Sequence, residues 1–192
     1  MTSPRVAAVV LAAGGSTRIG RPKVLLQIGG EPLIRRVVQT AAASGLAPII
    51  VVAGSDLAGV TAALLGLDAK IVENAAWRDG LSSSIRAGIE ALPGSVHAAV
   101  VLLADQPFVT SEHLRDLVQA YAAGSDPVAT RYGQGRGVPA LFGSKWFGEL
   151  RSIEGDRGAK EILDRSGAAM VGDGAPPIDI DTDEDYERAL RR

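Results

Sequence analysis

The chain has 192 residues, a net charge of −2 and no cysteine, so disulfides, thiolate metal sites and a thiol nucleophile are excluded. Acids and bases are mixed along it, with no basic block of the kind that holds a nucleic-acid backbone. It is 46% hydrophobic but 4% aromatic, so its core must be built from Ala, Val, Leu and Ile.

The first apolar run, over 5–13, is rich in valine and reads as a strand covered on both faces. It ends in "GGSTRIGRPK" instead of a small-residue cleavage site, and no apolar stretch reaches the length of a membrane span. The expectation is a soluble cytoplasmic protein with no membrane or nucleic-acid partner. A helix follows over 32–45, opened by Pro32 and closed by Gly45. Strands over 48–54 and 69–74 flank a helix over 56–66, and "GLSSSIRAGIEALPG" (80–94) predicts a helix opening on serines. A fourth strand over 97–105 leads to a helix over 111–124 with Ser111 as its N-cap. The alternation implies a mostly parallel, doubly wound α/β sheet. After residue 125 the pattern predicts two short strands joined by a glycine-rich loop, then helices in "GDRGAKEILDRSG" and "TDEDYERALRR". With neither repeat nor low-complexity linker, one domain over 1–192 is expected.

Ligands of open parallel sheets collect at the carboxyl ends of the strands. The first strand delivers "AAGGSTRIGRPK". Its Gly15 and Gly20 have the spacing of a P-loop, but Arg21 and Pro22 stand where Lys and Ser/Thr belong, and G-x-G-x-x-G is absent. A glycine-rich loop with exposed amides, Arg18 and Lys23 remains, suited to a triphosphate or else a surface turn with solvated charges. The fourth strand delivers Asp105 in "LLADQP", placed to hold Mg²⁺ or to form a turn. "WRDGLSSSIRAG" puts Gly80, Ser82, Ser83 and Ser84 at a helix start, an anion site or an N-cap with surplus serines, with Arg86 as a solvated side chain. Asp179 and Asp181 alternate along a predicted strand, where either would complete a metal site. Thr182 and Asp185 form a capping-box pattern, so Asp183, Glu184 and Asp185 serve the helix end. His97 and His113 lie away from the expected ligand mouths and read as packing or surface residues.

"LAAGGSTRIGRPKVLL" resembles the signature of the MobA-like nucleotidyltransferases, most closely their molybdenum cofactor cytidylyltransferase branch. That pattern is L-A-A-G-x-S-x-R-[MF]-G-x-x-K-x-L-L. Leu11, Ala12, Ala13, Gly14, Ser16, Arg18, Gly20, Lys23, Leu25 and Leu26 fit it, with Ile19 in place of Met or Phe. The resemblance continues through "GLSSSIRAG", "LLADQPFV", "GVPALF", "GDRGAK" and "DIDTDEDY". It implies a three-layer α/β/α fold with a mostly parallel Rossmann-like sheet of the nucleotide-diphospho-sugar transferase type. The nucleotide part would lie at about 1–125 and the acceptor part at about 126–192.

By the same resemblance, Leu11 to Gly15 and Ser16 contact base and phosphates, and Arg18 and Lys23 hold the triphosphate. Asp105 binds Mg²⁺, or Mn²⁺ in its place, and the serine turn faces the nucleotide. Ala13 and "GRPK", where guanylyltransferases have L-A-G-G and G-G-x-D-K, imply CTP over GTP. The implied acceptor is a molybdopterin-type phosphate gripped by Gly137, Pro139, Asp156, Arg157 and Lys160, with a molybdoenzyme as recipient of the product. Val138 replaces the His of the usual G-H-P, and Asp183 the Pro of D-T-P-E-D, both in the acceptor half. A GTP-using or sugar-phosphate nucleotidyltransferase and a non-catalytic nucleotide carrier remain the alternatives.

Overall fold

The computed structural model of the chain describes residues 4–15, 19–155, 159–174 and 178–191. Strand β1 (Val6–Ala12) is buried along its whole length. Val6, Ala8, Val10 and Ala12 enter one core, and Ala7, Val9 and Leu11 enter another. A strand with no polar face must be covered on both sides, which requires helices above and below the sheet.

A small antiparallel hairpin of β2 (Gln27–Ile28) and β3 (Glu31–Pro32) precedes α1 (Leu33–Ala43). The chain continues through β4 (Ile49–Ala53), α2 (Leu57–Ala63), β5 (Lys70–Glu73), α3 (Leu81–Glu90), β6 (Ala98–Leu103) and α4 (Ser111–Ala122). A second hairpin, β7 (Val128–Tyr132) and β8 (Gly135–Gly143), leads to α5 (Phe147–Leu150), α6 (Lys160–Arg165), β9 (Ala169–Gly174) and α7 (Asp183–Leu190).

The main sheet has the order β5-β4-β1-β6-β8-β7-β9. Every neighbouring pair is parallel except those of β8, which runs against both β6 and β7. Helices α1, α2 and α4 pack on one face, and α3, α5 and α6 on the other. The molecule is therefore a three-layer α/β/α structure with a mostly parallel sheet. Successive strands run outward from β1 to β4 and β5, and α3 then returns the chain to β6 on the other flank of β1. That reversal opens a crevice between the carboxyl ends of β1 and β6. A third apolar cluster of Leu26, Leu33, Ile180 and Ala189 closes this end, tying the first hairpin to α7.

Two local expectations are corrected, and one strand is new. The segment 178–181 belongs to no strand: Ile180 is buried and its N–H donates to the Asp105 carbonyl at 3.1 Å, so Asp179 and Asp181 lie against the end of β6 without joining a ladder. The N-cap of α4 is Thr110, whose hydroxyl accepts from His113 N, and Ser111 is the first helical residue. Strand β9 carries no clear sequence signal because it is an edge strand with two glycines, Gly172 and Gly174, and half-buried apolar residues. The capping box of Thr182 and Asp185 forms as its spacing implies.

Candidate functional site

The turn Lys23–Leu25 follows the glycine loop, with Val24 and Leu26 buried, and this packing directs Lys23 back across the crevice. Its Nζ donates to Asp105 Oδ2 and, at 2.9 Å, to Asp181 Oδ1. The Lys23 and Asp105 side chains are 19% and 13% exposed, that of Asp181 42%. Burial by itself would lower the Lys23 ammonium, but the charges and hydrogen bonds of Asp105 and Asp181 outweigh it and hold the group above its usual value. Asp179 completes the group: its Oδ1 accepts from Gln106 Nε2 at 2.8 Å. Burial pushes its carboxyl up, Gln106 opposes this, and the neighbouring Asp105 and Asp181 raise it further.

A divalent cation suits this donor set. Asp105 Oδ1 is buried and has no hydrogen-bond partner among the described residues, an arrangement that costs free energy unless something binds it. The donors are all carboxylate oxygens, the ligands of hard cations. Among the described residues no three acidic or histidine side chains enclose a metal by themselves, so an ion here would take its remaining ligands from phosphate oxygens and water.

Beside this cluster opens a cavity of about 600 Å³. Leu11, Ala12, Ala13, Gly14, Gly15, Lys23 and Asp105 line it from one side, and Gly80 and Ser84 from the other. Ser82 and Ser83 are buried and are not part of this lining. Ser83 Oγ donates to the Gly80 carbonyl at 2.8 Å and accepts from Asn74 Nδ2 at 2.9 Å, while Ser84 Oγ accepts from the same amide at 3.0 Å. Asn74 thus holds the serine turn in place from the end of β5, a role its sequence context does not signal. Trp77 and Arg78 also line the cavity, the guanidinium 4.3 Å from the indole centroid. A Cβ on Gly15 would stand 2.7 Å from Trp77 Cζ3, so the glycine lets the loop pass against the indole. This tryptophan opens the "WRDGLSSS" segment, but only the fold carries it to the glycine loop.

Of the other expected residues, those that are described do not gather at one place. Ser16, Arg18, Asp156 and Arg157 lie outside the described residues. Pro139 lines a separate cavity on the α4 side of the sheet, Gly137 packs toward the Tyr132 ring, and Lys160 stands at a surface depression with Glu161, Asp164 and Arg165. The Tyr132 hydroxyl donates to the Val138 carbonyl at 2.5 Å, and burial pushes its pKa to about 12, so it stays protonated and anchors the "GVP" segment. Two further readings are corrected. Arg86 is not merely solvated: its Nη2 donates to the Ile153 carbonyl at 3.1 Å, tying α3 to the chain after α5. His113 lines the α4-side cavity, because α4 starts at the strand ends; His97 accepts from Arg5 N at 3.0 Å and is a surface residue. Among the described residues no helix is long and apolar enough to cross a membrane.

The chain is 31% identical over 206 residues to the purine catabolism protein PucB of Bacillus subtilis, covering 100% of this chain and 98% of that protein. It is 30% identical over 204 residues to the nicotine blue oxidoreductase of Paenarthrobacter nicotinovorans, covering 97% of each. The crystal structure of Rv0371c from Mycobacterium tuberculosis matches with a TM-score of 0.89 at 29% identity over 100% of both chains. A structure of Rv0371c in complex with manganese matches at 0.82 and 30% identity, again over 100% of both. The model of the MobA-like NTP transferase domain matches residues 8–170, which spans the glycine loop, the serine turn, Asp105 and both hairpins. The chain therefore belongs to the MobA-like NTP transferase family.

Proposed function

We propose that the chain transfers CMP from CTP to a phosphorylated acceptor of the molybdopterin type, releasing pyrophosphate, with a molybdoenzyme as eventual recipient. The observation that carries this reading is the buried, unpartnered Asp105 Oδ1 beside Lys23 at the mouth of the cavity. Ala13, which lines the cavity where the related guanylyltransferases carry glycine, supports a pyrimidine over a purine base.

No Ser, Cys or His base is needed for this reaction, because a phosphate monoester is already largely ionised near neutral pH. An acceptor phosphate oxygen attacks the α-phosphorus, the bond to the bridging oxygen breaks, and pyrophosphate leaves with that electron pair. The chain's part is positioning and charge neutralisation. The backbone of Gly14 and Gly15 cradles the phosphates, Lys23 and Arg18 offset charge on the departing pyrophosphate, and the serine turn held by Asn74 faces the nucleoside. Asp105, assisted by Asp179 or Asp181, would hold Mg²⁺ or Mn²⁺, with phosphate oxygens and water as the remaining ligands. Such an ion supplies charge neutralisation at the phosphates. Gly137, Pro139, Asp156, Arg157 and Lys160 are the residues proposed to meet the acceptor, in the part of the chain after about residue 125.

Pyrophosphate release measured with each of the four nucleotides tests the reading, in the presence of molybdopterin, of a sugar phosphate, and of neither. Release fastest with CTP and molybdopterin is expected. A GTP preference or turnover with the sugar phosphate would replace the assigned substrates. Tight nucleotide binding without any release would mark a carrier and not an enzyme. Asp105→Asn should lower turnover by about a thousandfold or more while the protein still unfolds cooperatively, and full activity in that variant would remove the metal assignment.

A further inference from the structure

We propose that Arg21 and Asp183 are positioning residues: they clasp the second half of the glycine loop to α7 and so hold Lys23 at the mouth of the nucleotide cavity. The inference rests on the triphosphate reading of that loop. From Ile19 every second residue up to Lys23, and then Gln27, meets α7 or the segment that leads into it. Ile19 packs against the cluster of Leu26, Leu33, Ile180 and Ala189, as does Tyr186. The Arg21 guanidinium pairs with the Asp183 carboxylate at 3.0 Å and stands 5.6 Å from the Tyr186 ring centroid. Lys23 Nζ donates to Asp181 Oδ1 at 2.9 Å, and the Tyr186 hydroxyl donates to the Gln27 carbonyl at 2.7 Å.

Lys23 carries its charge on a flexible stem, and Gly20, at φ +68°, precedes it with a backbone free to turn either way. Holding the ammonium in one place therefore requires the chain on both sides of it to be held. Val24 and Leu26 are buried and secure the chain after Lys23, while Arg21 is the anchor before it. A planar guanidinium can meet a carboxylate and an aromatic ring at once. The partner is particular to this chain: Asp183 stands where the related pattern has proline, which offers no carboxylate. The capping box of Thr182 and Asp185 makes Asp183 the first residue of α7 and leaves its side chain out of the cap, paired with Arg21. Helix α7 itself lies beyond residues 8–170, the part that the family model matches.

The Arg21 and Asp183 side chains are 55% and 67% exposed, and a pair so exposed adds little to global stability. Its effect is local, on where the loop and Lys23 sit. Charge alone would act differently. If Arg21 merely attracted phosphates, Asp183 would oppose it, and removing the Asp183 charge would tighten nucleotide binding. A clasp needs both partners, so losing either one weakens binding.

The test uses the full chain, with CTP and Mg²⁺ titrated by calorimetry. Arg21→Ala and Asp183→Asn should each weaken binding about fivefold, and the double variant no more than either single one. Glu184→Gln removes a charge from the same helical turn and should leave binding within about twofold of the parent. Urea unfolding of all these variants should stay close to the parent. A second readout needs no nucleotide: trace acetylation of Lys23, compared with the exposed Lys70, read by mass spectrometry. Lys23 labelling should rise about threefold in both single variants, whereas charge alone would move the two in opposite directions. Tighter or unchanged CTP binding by Asp183→Asn, or unchanged Lys23 labelling in both variants, would overturn the clasp. If the parent chain bound no nucleotide, the triphosphate reading would fall, and the labelling alone would decide the clasp.

Discussion

Lys23 stands between Asp105 and Asp181 and acts as an internal counter-charge for a cluster that would otherwise repel itself. Its pKa is raised above 10.5, so this contribution is fully present below that value and is lost only as pH rises beyond it. Lys23→Ala should therefore weaken triphosphate binding and also cost about 1–3 kcal/mol of stability at neutral pH, because it leaves half-buried carboxylates unpaired. Urea denaturation of the variant measures the second effect, and unchanged stability would mean that the ion pairs contribute nothing. Lys23 and Asp105 are legible in the sequence because each follows a strong apolar strand in a recognisable spacing. Asn74 and Trp77 are not: each acts on a segment it meets only after the strands have assembled.

At the scale of elements, the close packing of α3 on β1 makes a sharp prediction. A Cβ on Gly88 would lie 2.3 Å from Val9 Cγ1. Gly88→Ala gains about 1 kcal/mol of helix propensity, yet the overlap should cost more, leaving a net loss of about 1–2 kcal/mol. Val9→Ala in the same chain should recover most of it, and a thermal-unfolding double-mutant cycle with no coupling would contradict the contact. The cap of α7 is a second case. Thr182 accepts from Asp185 N at 3.1 Å while the Asp185 carboxylate accepts from Thr182 N at 2.9 Å. Thr182→Ala should lower stability by about 1 kcal/mol. It should also raise the apparent KM for the metal, since the same residue follows Asp181; an unchanged metal titration would separate the cap from the site. The capping box was readable from four residues. That 178–181 leaves the sheet was not, because an alternating acidic pattern is the same whether or not a neighbouring strand supplies a ladder.

At the scale of the whole molecule, global stability should depend on pH through His113. Its folded pKa lies below 6.5, so near that pH the unfolded chain binds more protons than the folded one. The stability due to the neutral ring is full above 6.5 and declines as pH falls through the folded value. The groups facing the ring are Asp116 on its own helix and Asp173 on β9, with Glu112 and Arg131 in the same cavity. Denaturant unfolding should show lower stability at about pH 5 than at pH 7, and His113→Asn should flatten that difference. A profile unchanged by the substitution would refute a buried neutral imidazole.

The residue order alone determined the alternation of buried strands and amphipathic helices, and with it a mostly parallel sheet between helical layers. It also determined that glycines, a lysine and an aspartate stand at the carboxyl ends of strands. These features are local, since hydrophobic period, caps and breakers act within a few residues of chain. Only the tertiary structure decided that β8 runs antiparallel between β6 and β7, and that Lys23 reaches both Asp105 and Asp181. It alone brought the start of α4 against β7 and β9 to enclose a second cavity. Those outcomes depend on contacts between residues far apart in sequence, which are set by how whole faces of helix and sheet bury one another and leave no periodic trace in the chain.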